Sequence, residues 1–158
     1  MKNYLNSRED TQTSFKYKKY KSFVSPGAKF ELEIDIMDVL ARDSTANVSR
    51  YGLAAIDNFT KVADVILIKN RKPEEIIRGL NLIFKSTGKP KQIYSDEEGL
   101  CNSPKYIRFM NGHIIKHIQN STHAPSAERF IRTFKDNLYR RLHALNQDRS
   151  KWIEHVDN

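Results

Sequence analysis

The segment that decides the fold is Ser121-Thr-His-Ala-Pro-Ser-Ala-Glu-Arg-Phe-Ile-Arg-Thr-Phe-Lys135. It predicts a helix that begins near Pro125, because proline is favoured at a first helical position. A buried stripe recurs along this helix at helical spacing: Ala127, Ile131, Phe134, Leu138 and Leu145. A second stripe lies at the edge of the first: Glu128, Arg132, Lys135 and Tyr139. Such a polar stripe is typical either of an ordinary solvated helix face or of a catalytic edge.

Length and composition restrict the class of protein. A chain of 158 residues suits one domain with a sizeable core. No apolar run approaches the length of a membrane span, and the N-terminus lacks the apolar core of a secretory signal. The single cysteine, Cys101, leaves no internal disulfide and no cysteine-based zinc site. We therefore expect an intracellular protein without membrane contact, located in the nucleus if the host is eukaryotic.

The net charge of +8 is unevenly placed. Residues 1–29 carry seven Lys/Arg against two Asp/Glu, and residues 129–158 carry seven against four. The stretch between them is neutral, as expected for a folded core. Clustered cations favour a polyanion partner, most often nucleic acid, although a basic protein without such a partner would show the same balance.

Residues 1–29 are predicted to form a basic N-terminal arm or linker. Lys18 and Lys19 lie in a run of cations and tyrosines, Lys16–Lys21, that can follow a phosphate backbone while its rings stack on bases. The same run also fits a solvated tract. The core is expected over residues 30–158. Because the last predicted helix lacks a C-terminal cap, we expect the full-length protein to continue beyond it.

The core is predicted to be an α/β fold with a mixed five-stranded sheet, three antiparallel strands coming first. Strands are predicted at 30–37, 51–56, 62–68, 92–95 and 114–118, and helices at 73–86, 103–110, from 125 and from about 150. Residues 57–61 are predicted to form a hairpin connection and Asn111-Gly112 a turn. The first strand alternates in polarity, which predicts a half-buried strand with Glu33, Asp35 and Met37 on one face. Trp152 is expected in the core.

Three carboxylates are predicted to converge at one edge of this sheet. Asp35 lies late on the first predicted strand, and Asp96 directly follows the fourth. Glu128 lies in the first turn of the helix predicted from Pro125. Like charges held together disfavour ionisation unless a cation is present, and hard oxygen ligands select Mg²⁺ or Mn²⁺. Two such ions can clamp a phosphodiester for in-line attack.

Other acidic residues are alternatives to these three. Asp38 is predicted on the opposite strand face, and Asp57 in a turn where aspartate is common for local hydrogen bonds. We interpret both as structural, with Asp64 as a further rival carboxylate. Glu97 and Glu98 are the nearest competitors for Asp96, because a small change in that loop would bring either towards a metal.

Three motifs carry a resemblance to a known family. The segments Glu33-Ile-Asp-Ile-Met-Asp38, Tyr94-Ser-Asp-Glu-Glu-Gly99 and Ala127-Glu-Arg-Phe-Ile-Arg-Thr-Phe-Lys135 resemble the integrase catalytic core of retroviruses and retrotransposons. They resemble above all the integrases of Maverick/Polinton-type DNA transposons. The resemblance covers about residues 30–158. It departs from the family in the Glu-Glu-Gly run after Asp96 and in a slightly short interval from Asp96 to Glu128.

The resemblance implies an RNase-H-like fold and a metal-dependent DNA integrase that processes 3′ ends and transfers strands into target DNA. By motif match, the resemblance implies that Asp35, Asp96 and Glu128 form the metal-binding triad, with two Mg²⁺ or Mn²⁺ ions as cofactor. Arg132 and Lys135 stand where the family places cations against DNA. His123 lies in the loop before the helix that carries Glu128 and is a further candidate for DNA contact. The family also implies a homodimer or higher oligomer. Two alternatives remain: a decayed module that binds DNA without cutting it, and an RNase-H-like nuclease that only hydrolyses.

Overall fold

The computed structural model describes residues 25–38, 51–96, 102–119 and 125–156. Its strands are β1 (Glu31–Asp38), β2 (Tyr51–Asp57), β3 (Ala63–Ile68), β4 (Gln92–Ser95) and β5 (Lys116–Gln119). Its helices are α1 (Pro73–Thr87), α2 (Pro104–His113) and α3 (Pro125–Ala144), followed by a 3₁₀ helix at Arg149–His155. Most of the predicted basic arm, including Lys18 and Lys19, lies outside the described residues, as does His123.

The five strands form one mixed sheet in the order β3-β2-β1-β4-β5. The strand pairs β1–β2 and β2–β3 are antiparallel, whereas β1–β4 and β4–β5 are parallel. The predicted fold class is therefore confirmed, together with the antiparallel arrangement of the first three strands. In the described part of the chain, no helix is both long and apolar enough to cross a bilayer.

Helices cover both faces of the sheet, because the strands present apolar side chains on both. Leu32, Ile34 and Ile36 of β1 pack in a cluster with α1 and α2. Met37 packs on the other face with α3 and the 3₁₀ helix, where Trp152 is fully buried. Gly79 lets α1 approach closely, since a Cβ there would lie 2.8 Å from Cδ2 of Leu53.

Strand β1 is more deeply buried than its alternating sequence predicted. Its alternation predicted one buried face and one face open to solvent, but Glu31 and Glu33 are only 2% and 3% exposed. The prediction of a half-buried strand was wrong because β1 is the central strand and α3 covers its second face. The division of side chains between the two faces was nevertheless correct.

The turn predicted at Asn111-Gly112 was wrong. Helix α2 continues through both residues to His113, and the left-handed position is taken by Ile114, with a φ of 57°. The N–H of Ile114 donates to the carbonyl of Asn111 and so closes the helix. Strand β5 consequently begins at Lys116, two residues later than predicted.

The buried stripe of α3 was correct except at its end. Ala127, Ile131 and Leu138 are buried, but Leu145 is 52% exposed and Leu142 takes the expected core position. A step of four from Leu138 keeps Leu142 on the same face, whereas the helix ends at Ala144 before Leu145 is reached. The helix predicted near residue 150 is a short 3₁₀ helix.

Candidate active site

Asp35 lies on β1, and Asp96 directly follows β4, the parallel strand next to β1. Glu33 of β1 pairs with Tyr94 of β4, and each aspartate lies two residues further along the chain. Because side chains alternate along a strand, Asp35 shares the face of Glu33 and Met37, which α3 covers. Both aspartates are half-buried, and one oxygen of Asp35, Oδ1, accepts from the N–H of Ile36 at 2.7 Å.

The beginning of α3 approaches this edge of the sheet through Glu33. The Oε1 atom of Glu33 accepts hydrogen bonds from the N–H groups of Ser126 at 2.9 Å and Ala127 at 3.2 Å. Ala127 is fully buried and packs against Ile56 of β2. The next residue is Glu128, half-buried in the first turn of α3. The backbone next to Glu128, the third predicted carboxylate, is therefore held to β1 by hydrogen bonds.

The three predicted carboxylates do not form a closed metal site in the described part of the chain. Within the described ranges, no three His, Cys, Asp or Glu side chains come close enough together to hold a metal ion. The chemistry of the set still fits Mg²⁺ or Mn²⁺, since all three supply hard carboxylate oxygens. The assignment of Asp35, Asp96 and Glu128 as metal ligands stays a prediction.

The predicted DNA-contacting cations of α3 lie along the helix after Glu128. Arg132 is exposed and Lys135 is half-buried, which places them on the outer side of the helix and at its edge. Tyr139, the last member of the same stripe, packs against the core cluster of α3 and Trp152. This polar stripe thus runs along α3 from Glu128 to a residue that contacts the core. That course agrees with its predicted position at the edge of the buried stripe.

Two rival carboxylates have local structural partners. Asp64 accepts from the N–H of Val65 and from the hydroxyl of Ser86, both at 2.8 Å. Asp57 accepts from the N–H of Lys29 at 2.6 Å across the chain, and from those of Phe59 and Thr60 within its own turn. Burial by itself raises the pKa of Asp57, but these backbone donors outweigh it and hold the pKa below its usual value. Glu97, Glu98 and Cys101 lie outside the described residues.

The Asp57 contacts predict a specific dependence of stability on pH. A carboxylate whose folded pKa is lowered stabilises the protein above its unfolded pKa, about 3.9, and that stabilisation is lost as the pH falls through the folded value. We expect Asp57→Asn to lower the free energy of unfolding by about 1–3 kcal/mol at neutral pH, since its amide cannot satisfy all three donors. Urea unfolding at neutral pH and well below pH 4 should show the gap to wild type narrowing in acid. A gap that is the same in both conditions would contradict this account.

The acidic residues of α1 are paired with cations on its own side of the sheet. Glu75 contacts Arg78 and accepts from the N–H of Lys69, and Glu74 forms an ion pair with Lys105 of α2. These contacts hold the pKa of each carboxyl below its usual value. Helix α1 packs on the face opposite Asp35, so both glutamates are remote from the three predicted ligands.

His113 and His117 are four residues apart but have separate surroundings. His113 ends α2, with its ring against Phe84 and Phe109. His117 lies on β5, where its Nε2 is 2.8 Å from the hydroxyl of Ser95. Burial lowers the pKa of His117, which favours the neutral ring in this hydrogen bond.

Sequence reasoning did not identify Glu33 as a residue of the site. The signal was present, since Ala124 precedes Pro125 and its methyl group cannot cap a helix. A helix without a local cap needs an acceptor from elsewhere if its first turn is buried. Which residue supplies that acceptor depends on tertiary structure, with Glu33 lying 93 positions before Ser126.

The sheet order and the helical layers define an RNase-H-like fold of the kind found in integrase catalytic cores. The dimeric form of the HTLV-2 integrase catalytic core domain in complex with magnesium matches with a TM-score of 0.67, covering 84% of this chain and 86% of that chain. The trimeric form matches with a TM-score of 0.66 over 82% of each chain.

A third similar structure is the simian T-cell lymphotropic virus intasome in complex with PP2A regulatory subunit B56 gamma. The match has a TM-score of 0.63 and covers 74% of this chain and 42% of that chain. All three are 18% identical to this sequence, so the likeness establishes the fold. No protein-family model and no curated protein matches the sequence.

Proposed function

We propose that this chain is a metal-dependent polynucleotidyl transferase, the catalytic core of a DNA integrase. The observation that supports it is the placement of the three carboxylates in an integrase-like fold: Asp35 on β1, Asp96 directly after the neighbouring parallel strand β4, and Glu128 in the first turn of α3. The three motifs point further to a Maverick/Polinton-type transposon integrase. Its reactions would be the hydrolysis of a phosphodiester near a 3′ end, followed by attack of the freed 3′-hydroxyl on target DNA.

The three carboxylates would hold two Mg²⁺ or Mn²⁺ ions, which would supply activation of the attacking oxygen and stabilisation of the leaving oxygen. The chain's own contribution is to position these oxygens on rigid elements. Asp35 lies on β1 and Asp96 directly after β4, its parallel neighbour, and Glu33 anchors the first turn of α3 next to Glu128. Because two DNA ends must be joined together, we propose a homodimer or higher oligomer, in line with the dimeric and trimeric forms of the similar HTLV-2 core.

A disintegration assay on branched DNA tests this proposal directly. This reversal of strand transfer requires a core domain to reseal one strand in the presence of Mn²⁺ or Mg²⁺. Joined product from the chain of residues 1–158 would support a transferase. Cleavage without joining would replace it with an RNase-H-like nuclease, and salt-sensitive binding without either product would favour a module that only binds DNA.

Arg132 gives a separate prediction about DNA binding. If its guanidinium neutralises one phosphate of duplex DNA, Arg132→Ala should reduce the slope of log affinity against log salt by about 0.9. Fluorescence anisotropy at several salt concentrations measures this slope. Lys85→Ala is the matched control, because Lys85 is an exposed cation on α1, on the opposite face of the sheet. Equal slopes for Arg132→Ala and wild type would exclude Arg132 from the DNA interface.

A further inference from the structure

Glu33 is a buried acidic residue whose contacts join two elements of the site. Glu33 is 3% exposed, and its Oε1 atom accepts hydrogen bonds from two backbone N–H groups in the first turn of α3. A buried carboxylate is stable only where hydrogen bonds or opposite charge compensate for lost hydration. Here the N–H donors and the positive end of the helix dipole supply that compensation.

The two N–H groups are those that an N-cap side chain normally satisfies. With Pro125 as the first helical residue, Ser126 and Ala127 occupy the second and third positions, whose N–H groups have no partner within the helix. Ala124 has no side-chain acceptor to offer them. Glu33 therefore caps α3 from a neighbouring strand.

This cap fixes the start of α3 relative to the strand that carries Asp35. Glu33 lies two residues before Asp35 on the same face of β1, and Ala127 is the residue before Glu128. Two predicted metal ligands from distant parts of the sequence are thus joined through one side chain. We propose that Glu33 is a positioning residue that sets the place of Glu128 relative to Asp35 for metal binding, an inference that rests on the proposed function.

The chain provides a matched control in Glu31. Glu31 lies on the same strand and the same face and is 2% exposed. Its carboxylate accepts instead from the side-chain amides of Asn58 and Gln92, the latter at 2.8 Å. Loss of either glutamate leaves a buried network incomplete, but only the loss of Glu33 removes the cap of α3.

The test compares Glu33→Ala, Glu33→Gln and Glu31→Ala in the whole chain. Glu33→Ala should speed amide hydrogen exchange at Ser126 and Ala127 and raise the Mn²⁺ concentration needed for resealing by roughly 10- to 100-fold. It should lower kcat while leaving KM for branched DNA unchanged. Glu33→Gln keeps an acceptor oxygen and should recover most of both losses. Mn²⁺ binding followed by electron paramagnetic resonance provides a readout independent of turnover.

The outcomes separate this inference from the proposed function. Wild-type activity with an unchanged Mn²⁺ requirement in Glu33→Ala would overturn the role of Glu33 and leave the transferase intact. An equal change in Glu31→Ala, at equal folded fraction, would also overturn it, because general destabilisation would then suffice. A wild-type protein that neither binds Mn²⁺ nor reseals DNA would overturn both the role of Glu33 and the proposed transferase function. If Glu33→Ala does not fold, Glu33→Met fills the space without accepting a hydrogen bond and carries the same expectation.

Discussion

Glu128→Gln is expected to lower the rate of resealing by roughly 1,000-fold or more, while binding of DNA survives. The amide keeps the shape of the side chain but loses the charge that a divalent cation requires, and removal of a single catalytic group commonly has an effect of this size. Rates from single-turnover disintegration reactions in Mg²⁺ and Mn²⁺ would measure it. Since Glu128 is half-buried at the start of α3, the fold should be retained.

Asp136→Asn is the control for Glu128→Gln. Asp136 lies on the same helix, eight residues later, and is exposed. Asp136→Asn removes the same negative charge from α3 as Glu128→Gln and so reproduces any general electrostatic effect on DNA binding. Activity that falls equally in both variants would show that Glu128 has no special role in catalysis. Near-normal activity in Glu128→Gln would remove this residue from the predicted metal site.

Trp152→Ala is expected to have the largest effect on stability, lowering the free energy of unfolding by about 3–5 kcal/mol. The indole is fully buried in a cluster with residues of β1, β2 and α3: Met37, Ala54, Ile131, Leu138 and Leu142. A domain of this size is commonly stable by only about 5–15 kcal/mol, so the variant should be partly unfolded at moderate temperature. Denaturant unfolding followed by far-UV circular dichroism measures the change, because the variant lacks the chain's only tryptophan.

Trp152→Phe should be much less destabilising than Trp152→Ala. Phenylalanine fills most of the space, and it removes the indole N–H, which is buried without a hydrogen-bond partner among the described residues. Removal of an unsatisfied buried donor offsets part of the lost packing. Equal destabilisation by the two substitutions would contradict this account of the indole site. A change below about 1 kcal/mol in the alanine variant would contradict the packing of the 3₁₀ helix.

Periodicity was sufficient for most of the fold. The alternation in β1 correctly divided its side chains between two faces, and strand β4 was predicted with both ends correct. Proline at the first helical position located the start of α3. These signals are local, so each can be read from a few neighbouring residues. The position of Asp96 directly after β4 followed from the predicted end of that strand.

The errors came from properties that depend on the assembled sheet. Alternation cannot show that a second layer covers the polar face, which is why the burial of β1 was underestimated. Asn111-Gly112 has strong turn character, yet α2 runs through it and ends at Ile114. The cap supplied by Glu33 is a contact between residues far apart in sequence, and no local pattern specifies its partner. The DNA contacts assigned to His123, Lys18 and Lys19 remain predictions, because these residues lie outside the described ranges.

The central position of β1 has a consequence for how this sequence can change over time. Neither face of that strand is exposed to solvent along most of its length, so almost every residue there has a packed or hydrogen-bonded neighbour to accommodate. Strand β3, at the edge, is half-exposed along most of its length and leaves more choices open. What β1 requires is apolar side chains that fill the packed layers on both faces and hydrogen-bond acceptors at Glu31 and Glu33. A requirement for residue type rather than identity is compatible with a shared fold at 18% sequence identity.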